Sequence, residues 1–182
     1  MGGANNGSFH AGEISFSGTV EWYTPRYIFA ALGLVFDLDP CASEAGDHVP
    51  ALARYTKADD GLSQPWHGTV WLNPPYSPQP DLIRWLSRLA RHSNGIALVF
   101  ARTDARWFQV VAPRADLLCF TPRIAFVRGR PRLEQPAIFE SPVQKEDGKA
   151  AGSGSVLLAY GARCAHALRR SGLGICMKAV AY

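Results

Sequence analysis

Residues 70–101 constrain the fold most. Gly95-Ile96-Ala97-Leu98-Val99-Phe100-Ala101 is an uninterrupted apolar run. A strand of this kind is buried on both faces, as strands are in a parallel sheet covered by helices. Ahead of it, Asp81 to His92 carries apolar residues at helical spacing. Leu82, Ile83, Trp85, Leu86 and Leu89 form the stripe, and Arg84, Arg88 and Arg91 are expected to face out. Ahead of that helix, Val70-Trp71-Leu72 reads as a short strand. Strand, helix and strand in this order imply a parallel pair joined by a right-handed crossover. The chain is therefore expected to be α/β.

The flanking segments extend this pattern. Pro25 to Leu32 has helical periodicity, with Thr24 as the expected N-cap, Pro25 at the first helical position and Gly33 as the stop. Leu34 to Asp39 reads as a strand that stops at Asp39-Pro40. A short helix is expected over Ala51 to Tyr55, and a turn over Asp59-Asp60-Gly61-Leu62. Trp66 is expected to anchor this loop on the core. Beyond residue 101, a helix is expected over Ala105 to Val111. Strands follow over Ala115 to Phe120, Ile124 to Val127 and Gly154 to Tyr160, the last antiparallel to a neighbour. Ala165 to Arg170 reads as a helix, and the tail from Ser171 carries no pattern.

Totals narrow the class. The 182 residues suffice for one domain with a sizeable core. No apolar run approaches the ~18 residues of a membrane span, so no membrane association is expected. Residues 1–12, rich in Gly and Asn, read as a disordered leader, and 13–182 as a single domain. Cys41, Cys119, Cys164 and Cys176 are scattered, and no two have the CxxC spacing of a zinc site. Free thiols and no metal are expected. Charge is divided unevenly: residues 1–90 hold five Lys/Arg against nine Asp/Glu, and residues 91–182 hold fourteen against six. A basic half attracts polyanions by counterion release, although a solvated basic surface has the same composition.

The chemistry concentrates where the Val70–Leu72 strand runs into Asn73-Pro74-Pro75-Tyr76-Ser77. Proline removes a backbone donor and fixes its own φ, and it holds the preceding residue extended. Asn73 is thereby held at the strand end, followed by a stiff turn with free carbonyls and an aromatic ring. Such a cluster suits a planar amine, whose N–H groups meet the acceptors while the ring stacks on its face. A plain Pro-rich turn has the same local sequence. Asp39 also stands at a strand end, followed by the small residues Cys41-Ala42-Ser43, and in α/β folds ligands sit outside such ends.

Five segments in order carry a resemblance. They are Trp22-Tyr23-Thr24-Pro25, Phe36-Asp37-Leu38-Asp39-Pro40-Cys41-Ala42-Ser43, Asp59-Asp60-Gly61-Leu62-Ser63-Gln64-Pro65-Trp66, Val70-Trp71-Leu72-Asn73-Pro74-Pro75-Tyr76-Ser77 and Ala101-Arg102-Thr103-Asp104-Ala105-Arg106-Trp107-Phe108. Over residues 21 to about 160 the chain resembles the phage N6-adenine DNA methyltransferases, enzymes that use S-adenosylmethionine. The resemblance implies a Rossmann-like class I methyltransferase sheet flanked by helices. Asn73 follows Asp39 by only 34 positions (73 − 39), so at least one strand–helix unit of the full fold is reduced or missing. The ribose-binding acid that such a unit carries cannot be named.

The resemblance also implies residue roles. Asn73, Pro74, Pro75 and Tyr76 match the catalytic motif. Trp22, Thr24 and Pro25 match the segment against the methionine end of the cofactor. Asp39, Pro40, Cys41 and Ala42 match the first cofactor motif, with Cys-Ala-Ser where larger relatives carry a Gly-rich loop; Asp37 is a weaker candidate. Asp60, with Asp59, matches the acid beside the cofactor's adenine. Double-stranded DNA is the implied partner, a flipped adenine the implied substrate, and a monomer in the cytoplasm of a bacterial host the implied setting. Arg102, Arg106, Arg114, Arg123, Arg128, Arg130 and Arg132 are candidates for phosphate contact. Trp107 and Phe108 are candidates for holding distorted DNA, and 128–152 for a recognition insert. Two alternatives share the motif: a glutamine methyltransferase acting on protein, and a phage DNA-binding protein without activity.

Overall fold

The computed structural model describes residues 22–44, 48–76, 79–128 and 153–178. The expected leader and most of the expected insert, including Arg130 and Arg132, lie outside them. The first half runs β1 (Trp22–Tyr23), α1 (Arg26–Leu32), β2 (Phe36–Asp39), β3 (Ala51–Arg54), β4 (Val70–Leu72) and α2 (Gln79–His92). The second half runs β5 (Gly95–Phe100), α3 (Arg106–Val111), β6 (Leu117–Thr121), β7 (Val127–Arg128), β8 (Ser155–Tyr160), α4 (Ala162–Arg170) and β9 (Ile175–Met177).

Among the described residues seven strands form one sheet in the order β3-β2-β4-β5-β8-β6-β9, and β1 pairs with β7 in a separate two-stranded ribbon. The pairs β2–β3, β2–β4 and β4–β5 are parallel, as the order of residues 70–101 requires. β8 is antiparallel to both β5 and β6, so β5 and β6 run the same way. The result is a Rossmann-like α/β sheet, parallel through its β3-β2-β4-β5 half.

Side-chain alternation builds the layers. Successive strand residues point to opposite faces. Val70, Leu72, Ala97 and Val99 join a core cluster with Leu82, Trp85, Leu86 and Leu89 of α2 and Trp107, Phe108 and Val111 of α3. Trp71, Ile96 and Leu98 point the other way, into a cluster with Ile28, Phe29 and Leu32 of α1 and Cys164 and Leu168 of α4. Each such buried Leu, Ile or Phe contributes about 1.5–3 kcal/mol relative to exposure. Trp71 is fully buried between Phe29 and Phe36, with ring centroids 4.8 and 5.4 Å away. The strands are thus covered on both faces, as the apolar run of β5 implies.

Four expectations need correction. Ala51–Tyr55 is not a helix: Ala51–Arg54 forms the edge strand β3, in register with Phe36, Leu38 and Asp39. Ala-Leu-Ala-Arg has helical propensity, but the segment is too short to nucleate a helix alone, and β2 offers an open edge. Helix α1 starts one residue later than expected, with Pro25 at the cap position and no side-chain cap; Thr24 is buried instead. Gly33 does end it, at φ 59°, its N–H donating to the Phe29 carbonyl at 3.0 Å. Arg88 does not face out like Arg84 and Arg91. Its guanidinium turns onto the carbonyls of Leu62 and Gln64. The unpatterned tail contains β9, antiparallel to β6 with Cys119 opposite Cys176.

Between Asp39 and Asn73 the described residues hold two strands, β3 and β4, joined through one 3-10 turn, Lys57–Asp59, and no α-helix. That matches the expected reduction by a strand–helix unit. No helix of the described residues is long and apolar enough to cross a membrane.

Candidate active site

The strand order reverses between β2 and β4, because β3 lies on one side of β2 and β4, β5 on the other. Such a switch point opens a crevice at the carboxyl ends of the strands. Asp39 ends β2 and Asn73 follows β4, so the two expected halves of the site meet there.

Asp39 is 4% exposed. Its Oδ1 accepts the Cys41 N–H at 3.1 Å. Burial raises its carboxyl pKa to about 6, against the opposing effects of the Cys41 N–H and the Arg54 charge. Pro40 and Ala42 are buried and Cys41 half-buried. Burial, and then the Asp39 charge, push the Cys41 thiol well above its ordinary value. It therefore stays protonated and is no nucleophile. Asp37 is used elsewhere. Its Oδ2 accepts the Thr69 N–H at 2.6 Å, tying β2 to the start of β4.

The β1 segment reaches the same turn. The hydroxyls of Tyr23 and Ser43 lie 3.1 Å apart, and the Tyr23 ring stacks on His48 with centroids 3.9 Å apart. Thr24 is buried, and among the described residues its hydroxyl has no hydrogen-bond partner. A buried hydroxyl without a partner is costly, so this one is open to a ligand. Trp22 and Tyr23 pair with Arg128 and Val127 of β7. The expected cofactor segment and the start of the expected insert therefore share one ribbon.

The loop after β3 closes over the Asp39 turn. Asp59 is consumed locally: its Oδ2 accepts the Thr56 N–H at 2.7 Å and the Thr56 hydroxyl at 2.8 Å, and these bonds lower its pKa. Asp60 adopts φ 50°. Among the described residues no hydrogen bond holds its carboxylate. Gly61 seats the loop, since a Cβ there would stand 2.0 Å from the Pro40 carbonyl oxygen. Trp66 anchors it as expected, donating Nε1–H to the Gly61 carbonyl at 2.8 Å.

At the other side of the crevice, β4–β5 pairing stops at Leu72–Ala97. The chain then turns through Asn73, which is half-buried, Pro74, which is buried, and Pro75, which is exposed. No hydrogen-bond partner holds the Asn73 side chain among the described residues. Tyr76 takes the place β4 has vacated. Its hydroxyl oxygen accepts the Phe100 N–H at 3.0 Å, and its ring stacks on Phe100 with centroids 4.3 Å apart and planes 23° apart. Phe126 meets Phe100 edge-on at 6.4 Å. Burial pushes the Tyr76 phenol above its ordinary pKa, so it remains protonated.

The chain that folds this way has counterparts among known proteins. The family model for DNA N-6-adenine-methyltransferase (Dam) matches residues 17–153. The chain belongs to this family. A DNA N-6-adenine-methyltransferase of Haemophilus phage HP1 is 29% identical over 115 residues, covering 58% of this chain and 65% of the relative. The chain thus spans less than two thirds of that relative's length. No solved structure matches the chain.

For a member of this family, the arginines sort by sheet edge. Arg102 follows β5 and Arg106 opens α3; Arg123 follows β6 and Arg128 lies in β7. β5 and β6 run in the direction of β4, so Arg102 and Arg123 stand at the carboxyl edge with Asn73. Arg102, Arg106 and Arg123 are exposed. Arg114 precedes β6 and lies at the opposite edge, its charge felt by Tyr160. Trp107 and Phe108 are 3% and 7% exposed, packed in the core under α2, and cannot hold DNA. Sequence reasoning missed Phe100, Gly61 and Arg88. Phe100 reads only as the end of an apolar strand, and no local pattern says which surface arginine turns inward. Among the described residues no group of three His, Cys, Asp or Glu could hold a metal ion.

Proposed function

We propose that this chain transfers a methyl group from S-adenosylmethionine to the N6 amino group of adenine in double-stranded DNA, on a base taken out of the stack. The observation that carries this reading is the Asn73 carboxamide, free of hydrogen bonds among the described residues, across the switch point from buried Asp39, in a chain of this family. The residues present fit the cofactor. Thr24 has a buried hydroxyl without a partner among the described residues, and Asp39 a buried carboxylate on a turn of small residues. Asp60 has a carboxylate free of hydrogen bonds among the described residues.

Trp22, Thr24 and Pro25 would hold the methionine end, Asp39, Pro40, Cys41 and Ala42 the middle, and Asp60 the adenine. Asp59, occupied by Thr56, shapes that loop rather than touching the cofactor. When bound, S-adenosylmethionine supplies an electrophilic methyl group on a sulfonium. Asn73 Oδ1 and the Pro74 carbonyl accept the two exocyclic N–H groups of adenine, aiming the nitrogen lone pair at that methyl. Tyr76 has one ring face on Phe100 and offers the other to the base. No strong base is required before attack, because the ammonium formed is acidic. The residues act by positioning and electrostatics.

Arg102, Arg106, Arg123, Arg128, Arg130 and Arg132 would bind phosphate, which positions the duplex without reading its sequence. A target adenine inside a duplex is out of reach unless flipped. Residues 13–182 act as one domain, with 128–152 as recognition insert. The protein works as a monomer, free of metal and membrane, in the cytoplasm of a bacterium carrying the phage or prophage. The test is incubation with methyl-labelled cofactor and either DNA or a protein extract. Label in DNA at N6-methyladenine is expected. Label in protein would mean a glutamine methyltransferase, and no label a protein without activity; either overturns the proposal.

A further inference from the structure

We propose that Arg88, on α2, is a positioning residue for the Asp59–Gly61 loop and hence for the adenine end of the cofactor. The inference rests on the cofactor reading above. Where a full sheet would carry another strand and helix, this chain has only the loop that follows β3. Among the described residues no α-helix stands between β3 and β4. On the core side α2 holds the loop through Arg88.

The Arg88 guanidinium donates through one terminal nitrogen to the Leu62 carbonyl and through the other to the Gln64 carbonyl. The same group lies over the Trp66 ring, 4.7 Å from its centroid. Trp66 in turn stacks on Trp85, one helical turn before Arg88, with centroids 6.0 Å apart. From this platform the Trp66 Nε1–H reaches the Gly61 carbonyl at 2.8 Å. Gln64 Nε2 donates to the Asp59 carbonyl at 2.7 Å, so the strand of loop that Arg88 grips is bonded to the strand bearing the acids. Tyr55 closes the base of the loop by donating to the Pro65 carbonyl at 3.0 Å. On its inner side the loop rests through Gly61 on Pro40, next to Asp39.

Arg88 therefore acts on the site through two carbonyls, one ring and Gly61. A planar fork holds two carbonyls two residues apart while stacking on an indole; the lysine ammonium has three donors but neither the fixed fork nor the flat face. The charge of Asp60 is also felt at the Arg88 guanidinium.

The test uses the full chain with Arg88→Ala and Arg88→Lys, and S-adenosylhomocysteine as the probe. Calorimetry should show affinity falling about tenfold or more for Arg88→Ala, the scale of losing charge-assisted hydrogen bonds, with Arg88→Lys between it and wild type. In the protein without ligand, amide hydrogen exchange should quicken over residues 57–66 and stay slow in β4 and β5. With labelled cofactor at saturation, kcat and the KM for DNA should hold while the KM for cofactor rises. Unchanged affinity in Arg88→Ala, beside a wild type that binds, overturns the proposal. So does exchange that quickens through α2, β4 and β5 together, which marks a general loss of stability. A wild type that does not bind S-adenosylhomocysteine removes the cofactor reading, and this inference with it.

Discussion

The phenol oxygen of Tyr76 accepts the backbone N–H of Phe100 at 3.0 Å, and the two rings stack at 4.3 Å. That N–H is left over because β4 pairing ends at Leu72–Ala97, and among the described residues no strand continues on that side of β5. The hydroxyl therefore has a reason distinct from the ring. In Tyr76→Phe the ring keeps its stack and the Phe100 N–H loses its partner. Leaving a buried donor unsatisfied costs about 1–3 kcal/mol. Urea unfolding should show that loss, while a Tyr76→Phe enzyme retains measurable methyl transfer. Equal stability of variant and wild type would remove the hydroxyl from this account.

Asn73 has the opposite profile: among the described residues no hydrogen bond holds its carboxamide. Asn73→Ala should leave the unfolding midpoint nearly unchanged. Methyl transfer should fall by a factor of about 10²–10³ or more, as when one preorganised polar group is removed from a reacting centre. S-adenosylhomocysteine should bind as in wild type. Full activity in Asn73→Ala would end its assignment.

Asp39 predicts a pH dependence. Its carboxyl titrates near 3.8 in the unfolded chain and at about 6 when folded, because burial disfavours the charge. Between these values the folded state holds a proton that the unfolded state has released. Stability should therefore fall as pH rises from about 4 to about 6 and be level above that. Asp39→Asn removes the penalty while its amide oxygen can still accept the Cys41 N–H. At pH 7.5, without cofactor, the variant should be more stable than wild type by on the order of 2–3 kcal/mol. The gap should narrow toward pH 4, and denaturant titrations at several pH values read it directly. If the charge of Asp39 faces the cofactor, the same variant binds S-adenosylhomocysteine more weakly.

Gly61 seats the loop after β3 on Pro40, the loop proposed to face the cofactor. A methyl group there meets the Pro40 carbonyl at 2.0 Å and the Trp85 ring at 3.1 Å. Gly61→Ala must lift the loop off the Asp39 turn, with an overpacking cost of about 1–3 kcal/mol. Cofactor-analogue affinity should fall more than stability does. Gly33→Ala offers a control: nothing lies within 4 Å of a Cβ there, though its φ of 59° is strained for alanine. That variant should lose some stability and no affinity.

Residues 70–101 were legible because periodicity in one stretch dictates both its structure and its layer. The apolar run of β5 requires cover on two faces, and the stripe on α2 provides one of them. The Asn73–Tyr76 turn was equally readable, since proline restricts its own backbone and its neighbour's. What the local pattern could not reveal was partnership. Ala51–Arg54 has helical propensity and becomes a strand because β2 offers an edge. The tail after Ser171 shows no pattern and pairs with β6 for the same reason. Trp107 and Phe108 belong to the core, and Arg114 to the far edge of the sheet. Asp59 and Asp60 are adjacent and alike in sequence, yet one is consumed by Thr56 and the other is left free of hydrogen bonds among the described residues. By itself the sequence determined the α/β class, the order of its central strands and the residues of the Asn-Pro-Pro-Tyr turn, because each follows from dihedral limits and hydrophobic period within a few residues. Only the tertiary structure decided that Phe100 backs Tyr76, that Gly61 seats the loop on Pro40 and that Arg88 turns inward. Those contacts join residues 21 to 26 positions apart, and their energy exists only when packing brings both partners together.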